Sequence, residues 1–145
     1  MMILCPHFLI DIMKNLVIIG AGGMGRTIFD VARESIGYGI EYTIKGFIDD
    51  NLSALDGFED YPPMLGTISH YLPEVDDVFT FSIGGESRRV CIEYLMERNA
   101  KFINIVHSTA RIGSNVRMGE GNVIGAFTSL GADCSIGSYN MIQSF

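Results

Sequence analysis

An α/β fold is predicted for this chain, a small parallel sheet followed by the first coils of a parallel β-helix, and three observations carry that prediction. Short β-rich runs alternate with helical patterns over residues 16–106. Glycine-rich turns, GAGGMG at 20–25 and GG at 84–85, stand between a strand pattern and a helix pattern. From Ile112 through Met118, Ile124, Leu130, Ile136 and Ile142, an apolar residue recurs at every sixth position, and glycine follows the first five. A helix returns to one face at about 3.6 residues and a strand at 2, so a sustained period of six marks a hexapeptide solenoid.

The elements follow in order. Residues 1–12 are expected to be an extra segment, whether tag, alternative start or arm, because Met13 directly precedes the first strand pattern. Residues 16–19 (LVII) read as a strand that runs into the glycine turn. Behind the turn, residues 27–35 place Ile28, Val31, Ala32 and Ser35 on one helical face with Phe29 beside them, and Gly37 is a stop signal. Residues 42–48 read as a second strand that ends on Asp49 and Asp50. Gly57, Pro62, Pro63, Gly66 and Pro73 break up the next stretch, which predicts loops with one short element at most.

Residues 78–83 read as a strand, residues 86–99 as a helix with Val90, Cys91, Tyr94 and Leu95 inward, and residues 102–106 as a further strand. Strand–helix alternation implies a Rossmann-like parallel sheet. The hexads start at Ala110, with Ala110, Val116, Thr128 and Cys134 lining the interior, Asn122 and Asn140 hydrogen-bonded near corners, and the glycines turning the corners. Six hexads make about two coils. Two coils leave strand edges and apolar interior open, so further hexads are expected to follow residue 145. The organisation expected is therefore 1–12 as the extra segment, 13–106 as the Rossmann-like domain, and 107–145 as an incomplete β-helix.

Composition narrows the function classes. With 48% hydrophobic and 19% charged residues, the 145-residue chain has the make-up of a folded rather than a disordered protein. A net charge of −7 argues against broad attraction to nucleic acid or an anionic membrane. The sequence shows no run of about 20 apolar residues for a membrane span and no basic region ahead of its apolar start, so a cytoplasmic location is expected. Cys5, Cys91 and Cys134 lack metal-ligand or CxxC spacing and read as free thiols, and no metal cluster is expected.

Chemistry is expected at the carboxyl ends of the strands. Glycines between strand and helix let backbone N–H groups approach a diphosphate, and Asp49 and Asp50 stand where a ribose-binding acid is expected. Arg26, Arg88 and Arg89 follow the two glycine turns, and Arg suits phosphate. His107, between sheet and repeat, reads as a hydrogen-bonded hinge rather than a base, while His7 and His70 lie in unpatterned stretches.

The order of LVIIGAGGMGR at 16–26, GFIDD at 46–50, SIGG at 82–85 with Arg89, and IVHSTA at 105–110 leading into hexads resembles the sugar O-/N-acyltransferases of the sialic-acid and bacillosamine acetyltransferase type. The resemblance runs from about residue 13 to residue 145. It implies an amino-terminal domain that holds a sugar or nucleotide-linked sugar and a left-handed β-helix that trimerises and binds acetyl-CoA between subunits. By position, it places substrate contacts on Gly22, Gly23, Met24, Asp49, Asp50 and Gly84, with Met24 where the family often carries a polar or His residue. It places the catalytic histidine, a general base toward the sugar's amine or hydroxyl, beyond Phe145, so that this chain alone is expected to be inert. Two other readings remain at this point: a nucleotide-sugar-binding or assembly module without catalysis, and a fragment of an NAD(P)-dependent oxidoreductase.

Overall fold

The computed structural model describes residues 2–5 and 8–145, with side chains from Ile12 onward; His7 and the Cys5 thiol lie outside the described part. At the amino terminus β1 (Met2–Cys5) and β2 (Phe8–Asp11) form an antiparallel hairpin. Then come β3 (Lys14–Ile19), α1 (Gly23–Arg33), β4 (Tyr42–Ile48), β5 (Met64–Gly66), β6 (Asp77–Phe81) and α2 (Gly85–Met96). The four strands β3–β6 make one parallel sheet in the order β5-β4-β3-β6. Its central strand β3 is buried on both faces, with Leu16, Val17, Ile18 and Ile19 fully inaccessible, the pattern of a parallel sheet covered on each side.

Alternation along β3 divides the core in two. Leu16 and Ile18 pack with Ile28, Phe29 and Ala32 of α1, whereas Val17 and Ile19 pack with Phe79, Phe81, Ile92 and Leu95 on the α2 side. The inward stripe of α2 is Ile92 and Leu95, not the expected Val90, which is 57% exposed. The difference is a rotation of about one residue's spacing around the helix, and Arg88 takes the place of an apolar residue by laying its guanidinium over the Phe81 ring at 5.2 Å. At the sheet's far end the buried Asp77 carboxylate accepts from Lys45 Nζ (3.0 Å), the Tyr71 hydroxyl (2.6 Å) and the Glu74 N–H (3.0 Å).

The solenoid starts earlier than its glycine pattern suggests. Instead of one strand over 102–106, Phe102 bridges to Phe79 of the sheet while β7 (Ile105–Val106) pairs with the solenoid. Six further two-residue strands follow: β8 (Arg111–Ile112), β9 (Arg117–Met118), β10 (Val123–Ile124), β11 (Ser129–Leu130), β12 (Ser135–Ile136) and β13 (Met141–Ile142). All pair in parallel, as β13-β10-β7, β11-β8 and β12-β9, which are the three faces of a β-helix.

The structure corrects one expected role among the hexad residues and refines another. The corners are turned three residues after each apolar position, where Asn115, Gly121, Phe127, Asp133, Tyr139 and Phe145 all have φ between 58° and 72°. The glycines after the apolar positions have no positive φ; they let coils stack. A Cβ on Gly113 would lie 2.6 Å from the Ala132 nitrogen in the coil above, while one on Gly131 or Gly137 would meet nothing within 4 Å. Asn122 and Asn140 directly follow the corners at Gly121 and Tyr139 and are hydrogen-bonded there, as expected. With Asn104, one coil earlier, they form an interior ladder in which Asn104 Oδ1 accepts Asn122 N (2.9 Å) and Nδ2 (3.1 Å), and Asn122 Oδ1 accepts Asn140 N (2.9 Å) and Nδ2 (3.0 Å).

Candidate functional site

The order β5-β4-β3-β6 makes the site. From β3 the chain crosses to β4 and then outward to β5, and it returns to β6 on the opposite flank of β3. The β3–α1 and β6–α2 turns therefore diverge above neighbouring strands, the crevice where open α/β sheets bind ligands. The turns are tied together by Ser82, whose Oγ donates to Ile19 O (2.8 Å) and Gly20 O (3.1 Å).

Each glycine of the first turn has a separate reason. Gly20 has φ +95°, and a Cβ there would lie 2.4 Å from Ser82 Oγ. A Cβ on Gly25 would lie 2.0 Å from Gly20 O, so only glycine lets α1 begin directly against the end of β3. Gly22 and Gly84, by contrast, face open space, and Gly23 has only Arg26 Nη2 near, at 3.9 Å. Both helices start on extended glycine N-caps, Gly22 and Gly84, with no side chain capping either one, and α1 has no acid in its first turn. Two helix N-termini without side-chain caps thus stand over the neighbouring strands β3 and β6, an arrangement suited to an anion, although α2 carries Glu86 in its first turn.

The two acids part company. Asp49 is half-buried beneath the glycine turn, its Oδ2 accepting the Ala21 N–H (2.9 Å) and its Oδ1 the Asn51 N–H (2.8 Å), so it holds the turn's shape. Asp50 turns toward α2, with Oδ1 accepting the Ile68 N–H (3.0 Å). Arg26 donates to Ala21 O (3.2 Å) and stacks its guanidinium 3.7 Å from the centre of the Phe58 ring. Arg89 is exposed and engaged with Glu86 (3.5 Å) and Glu93 (3.8 Å), on the solvent side of α2. Gly22, Gly23 and Met24 lie on the first turn and Gly84 on the second, over adjacent strands; Asp49 supports the first turn from below and Asp50 lies to one side.

Beside α1 a cavity of about 190 Å³ opens against the first face of the β-helix. Met24, Thr27 and Ile28 supply one wall, and Met141, Ile142 and Gln143 the other. Met24 is both a first-turn residue of α1 and a wall of the cavity, so cavity and crevice adjoin. Sequence reading missed the solenoid wall, since no local signal joins Met24 to Gln143, and it missed Phe58, a lone aromatic in a loop. Ser82 was visible only as part of a motif.

His107 is buried at the junction, where Nδ1 accepts the Thr109 N–H (3.0 Å) and Nε2 meets Glu34 Oε2 at 2.7 Å. The Thr109 bond places the neutral ring's proton on Nε2, so His107 ties the end of α1 to the first coil, the expected hinge role. On the other flank, Tyr139 packs on Phe102 and Phe81 and donates to Glu120 Oε1 (2.9 Å). Burial, and then the bond to Glu120 and its charge, push the phenol up to about 12. Among the described residues, no helix is long and apolar enough to cross a membrane.

A Rossmann-type sheet domain bordered by β-helix coils defines the class: a small parallel α/β sheet coupled to a hexapeptide solenoid. Residues 15–95 match the PglD N-terminal domain family, and the chain belongs to that family. Among curated proteins it is 30% identical over 117 residues to UDP-N-acetylbacillosamine N-acetyltransferase of Bacillus subtilis (strain 168), covering 77% of this chain and 51% of that protein. It is also 29% identical over 125 residues to the uncharacterized protein L142 of Acanthamoeba polyphaga mimivirus, covering 86% of this chain and 24% of that protein. The chain thus spans about half the length of one curated relative and a quarter of the other.

Among solved structures, PerB from Caulobacter crescentus, determined in complex with CoA and GDP-perosamine, superposes with a TM-score of 0.67 at 22% identity, covering 90% of this chain and 63% of that one. The acetyltransferase domain of PglB from Neisseria gonorrhoeae FA1090 gives 0.65 at 22% identity, covering 90% and 71%. These likenesses show the fold, a parallel α/β sheet followed by the early coils of a left-handed parallel β-helix.

Proposed function

We propose that this chain carries the sugar-nucleotide-binding part of an acetyl-CoA-dependent acetyltransferase that acts on an amino or hydroxyl group of a nucleotide-linked sugar in surface-glycan synthesis. The observation that carries the reading is the convergence of two uncapped glycine N-termini beside a sugar-sized cavity, in a member of this family. The diphosphate sits against the N–H groups of Gly23, Met24 and Gly85, and the sugar extends past Met24 toward the solenoid. Gly22, Gly23, Met24 and Gly84 are contact residues, Asp49 shapes the glycine turn, and Asp50 meets the nucleoside end.

The acetyl group passes from the thioester of acetyl-CoA to the sugar's nitrogen or oxygen, releasing CoA thiol, while a base accepts the nucleophile's proton. That base is assigned to a histidine of a later coil, beyond Phe145, and the acetyl-CoA site to grooves between solenoids of a cytoplasmic homotrimer. The similarity to the Bacillus N-acetyltransferase supports this chemistry. For the chain's organisation we propose an extra segment over 1–12, a sugar-nucleotide domain from residue 13, and a solenoid whose pairing begins at Ile105.

Gly22→Asp tests the reading. Gly22 has φ −72° and open space around it, so aspartate fits there and caps α1, holding or slightly raising the melting temperature. The same carboxylate occupies the N–H groups and repels phosphate. UDP- and GDP-sugar binding by calorimetry should fall at least about tenfold while stability does not. Unchanged binding, or a preference of the unaltered chain for NADH, would overturn the proposal.

A further inference from the structure

The crevice and the cavity beside α1 leave a third concavity without a role. It lies between α2 and the segment after β5, has a volume of about 140 Å³, and is walled by Ile68, Val90, Cys91 and Tyr94, with Asp50 and Ser69 at its polar side. That is below the roughly 300 Å³ at which pockets for whole small-molecule ligands begin, so it suits one ring system rather than an entire nucleotide. Val90 and Cys91 lie six and seven residues beyond the α2 N-cap, about 9–10 Å at 1.5 Å per residue. A flat apolar group in this pocket is therefore a nucleoside's reach from an anion at Gly84 and Gly85.

Directional recognition here comes from Asp50. Its Oδ1 is held by the N–H groups of Ile68 (3.0 Å) and Ser69 (3.5 Å), which fixes the carboxylate's orientation. Its Oδ2 makes no hydrogen bond among the described residues. The neighbouring polar groups are already engaged: the Tyr94 hydroxyl donates to Ser69 O, and Ser69 Oγ lies 3.2 Å from His70 Nδ1. The Cys91 thiol is pushed up first by burial and then by the Asp50 charge, so the carboxylate's field reaches the opposite wall. An ionised carboxylate accepts hydrogen bonds and donates none.

We propose that this pocket receives the base of the bound nucleotide and that Asp50 Oδ2 selects guanine over uracil. The proposal rests on the reading that the crevice holds a sugar nucleotide's phosphates. Guanine offers two adjacent donors on one edge, N1–H and the exocyclic amino group, and both point at the carboxylate. Uracil offers one N–H flanked by two carbonyl oxygens, which meet the carboxylate as repelling acceptors. Adenine and cytosine each pair one amino donor with a ring acceptor. Ile68, Val90 and Tyr94 cover the ring faces.

The purified chain is titrated calorimetrically with GDP, UDP and inorganic pyrophosphate. GDP should bind at least about tenfold more tightly than UDP, and more tightly than pyrophosphate. In Asp50→Asn the two backbone N–H groups keep the amide oxygen at Oδ1, so an NH₂ donor takes the place of Oδ2. GDP affinity should then drop about tenfold while UDP gains, inverting the order, with the circular dichroism spectrum unchanged. Pyrophosphate binding together with equal affinities for GDP and UDP, tighter UDP binding, or an unaltered ratio in Asp50→Asn would remove the base pocket and leave the phosphate crevice standing. No binding of any of the three would overturn both.

Discussion

Asn122→Ala should be among the most damaging single truncations in the solenoid, because the residue is fully buried and its side chain makes four hydrogen bonds. Its Nδ2 donates to Asn104 Oδ1 (3.1 Å) and Gly137 O (2.9 Å), and its Oδ1 accepts from Asn140 N (2.9 Å) and Nδ2 (3.0 Å). Asn104 Oδ1 keeps a partner after truncation, since the Asn122 backbone N–H still donates to it (2.9 Å). Two groups are left without one, the Asn140 N–H and the Asn140 amide, because the Gly137 carbonyl still accepts from the Gly119 N–H (3.0 Å). Asn140 is half-buried and recovers some hydration, so each orphan is set near the lower end of the 1–3 kcal/mol range, about 2 kcal/mol in total. For a chain of this length that lowers Tm by about 4–8 °C. Asn140→Ala, at the open end of the ladder, removes only the Nδ2 bond to Asn122 Oδ1 and should cost about 1 kcal/mol. Urea unfolding followed by far-ultraviolet circular dichroism compares the two at equal m-value. A loss below about 1 kcal/mol for Asn122→Ala, or a larger loss for Asn140→Ala, would show that the ladder does not hold the coils in register.

The stacking role of the solenoid glycines predicts a contrast between chemically identical changes. Gly113→Ala forces a methyl against the coil above and should cost about 1–3 kcal/mol, whereas Gly137→Ala meets no atom and should stay within about 0.5 kcal/mol, both read from urea midpoints. Alkaline titration at 295 nm should show Tyr42, Tyr71 and Tyr139 un-ionised in the folded chain at pH 11, because burial first, joined by neighbouring acidic groups, pushes each up to about 12. Their folded values lie above the ordinary 10.0, so the stability they contribute is complete below pH 10 and is lost as pH rises toward 12. If the three ionise alike in the folded chain and in urea, that burial is refuted.

What could be read from the residues was whatever repeats or sits next to its own cause. The glycine turn, its strand and its helix lie within twenty residues, and local sterics decide all three. The hexad period likewise exposed the solenoid. Its glycines were given the wrong task because turning a corner is the usual local reason for glycine, while the real one, a 2.6 Å approach from the next coil, joins residues far apart in sequence. The same distance hid Val106 as the first rung, since neither glycine nor a full hexad precedes it, and hid Asn104 as the foot of the ladder. In α2, Val90 and Ile92 are interchangeable by hydropathy, and only the position of Phe81 beneath the helix decides which one is covered.

The solenoid's place in the candidate site follows from how firmly it is fastened to the sheet. On the α1 flank, Glu34 holds His107, the Ser108 N–H donates to Glu34 O (3.0 Å) and the Ile36 N–H to Val106 O (3.1 Å). On the α2 flank, Tyr139 stands edge-on to Phe102 at 5.3 Å and to Phe81 at 6.4 Å, and its hydroxyl lies 3.3 Å from Met96 Sδ. One fastening uses a charge-capable pair of a buried His107 and an exposed Glu34, the other aromatic packing, and they grip opposite sides of the first coils. The cavity walled by Met24 and Met141 is therefore bounded by elements anchored on both flanks. The distance between the glycine turn and the coil is set before any ligand arrives, so the diphosphate proposed at Gly23 would carry its sugar against a prepared surface.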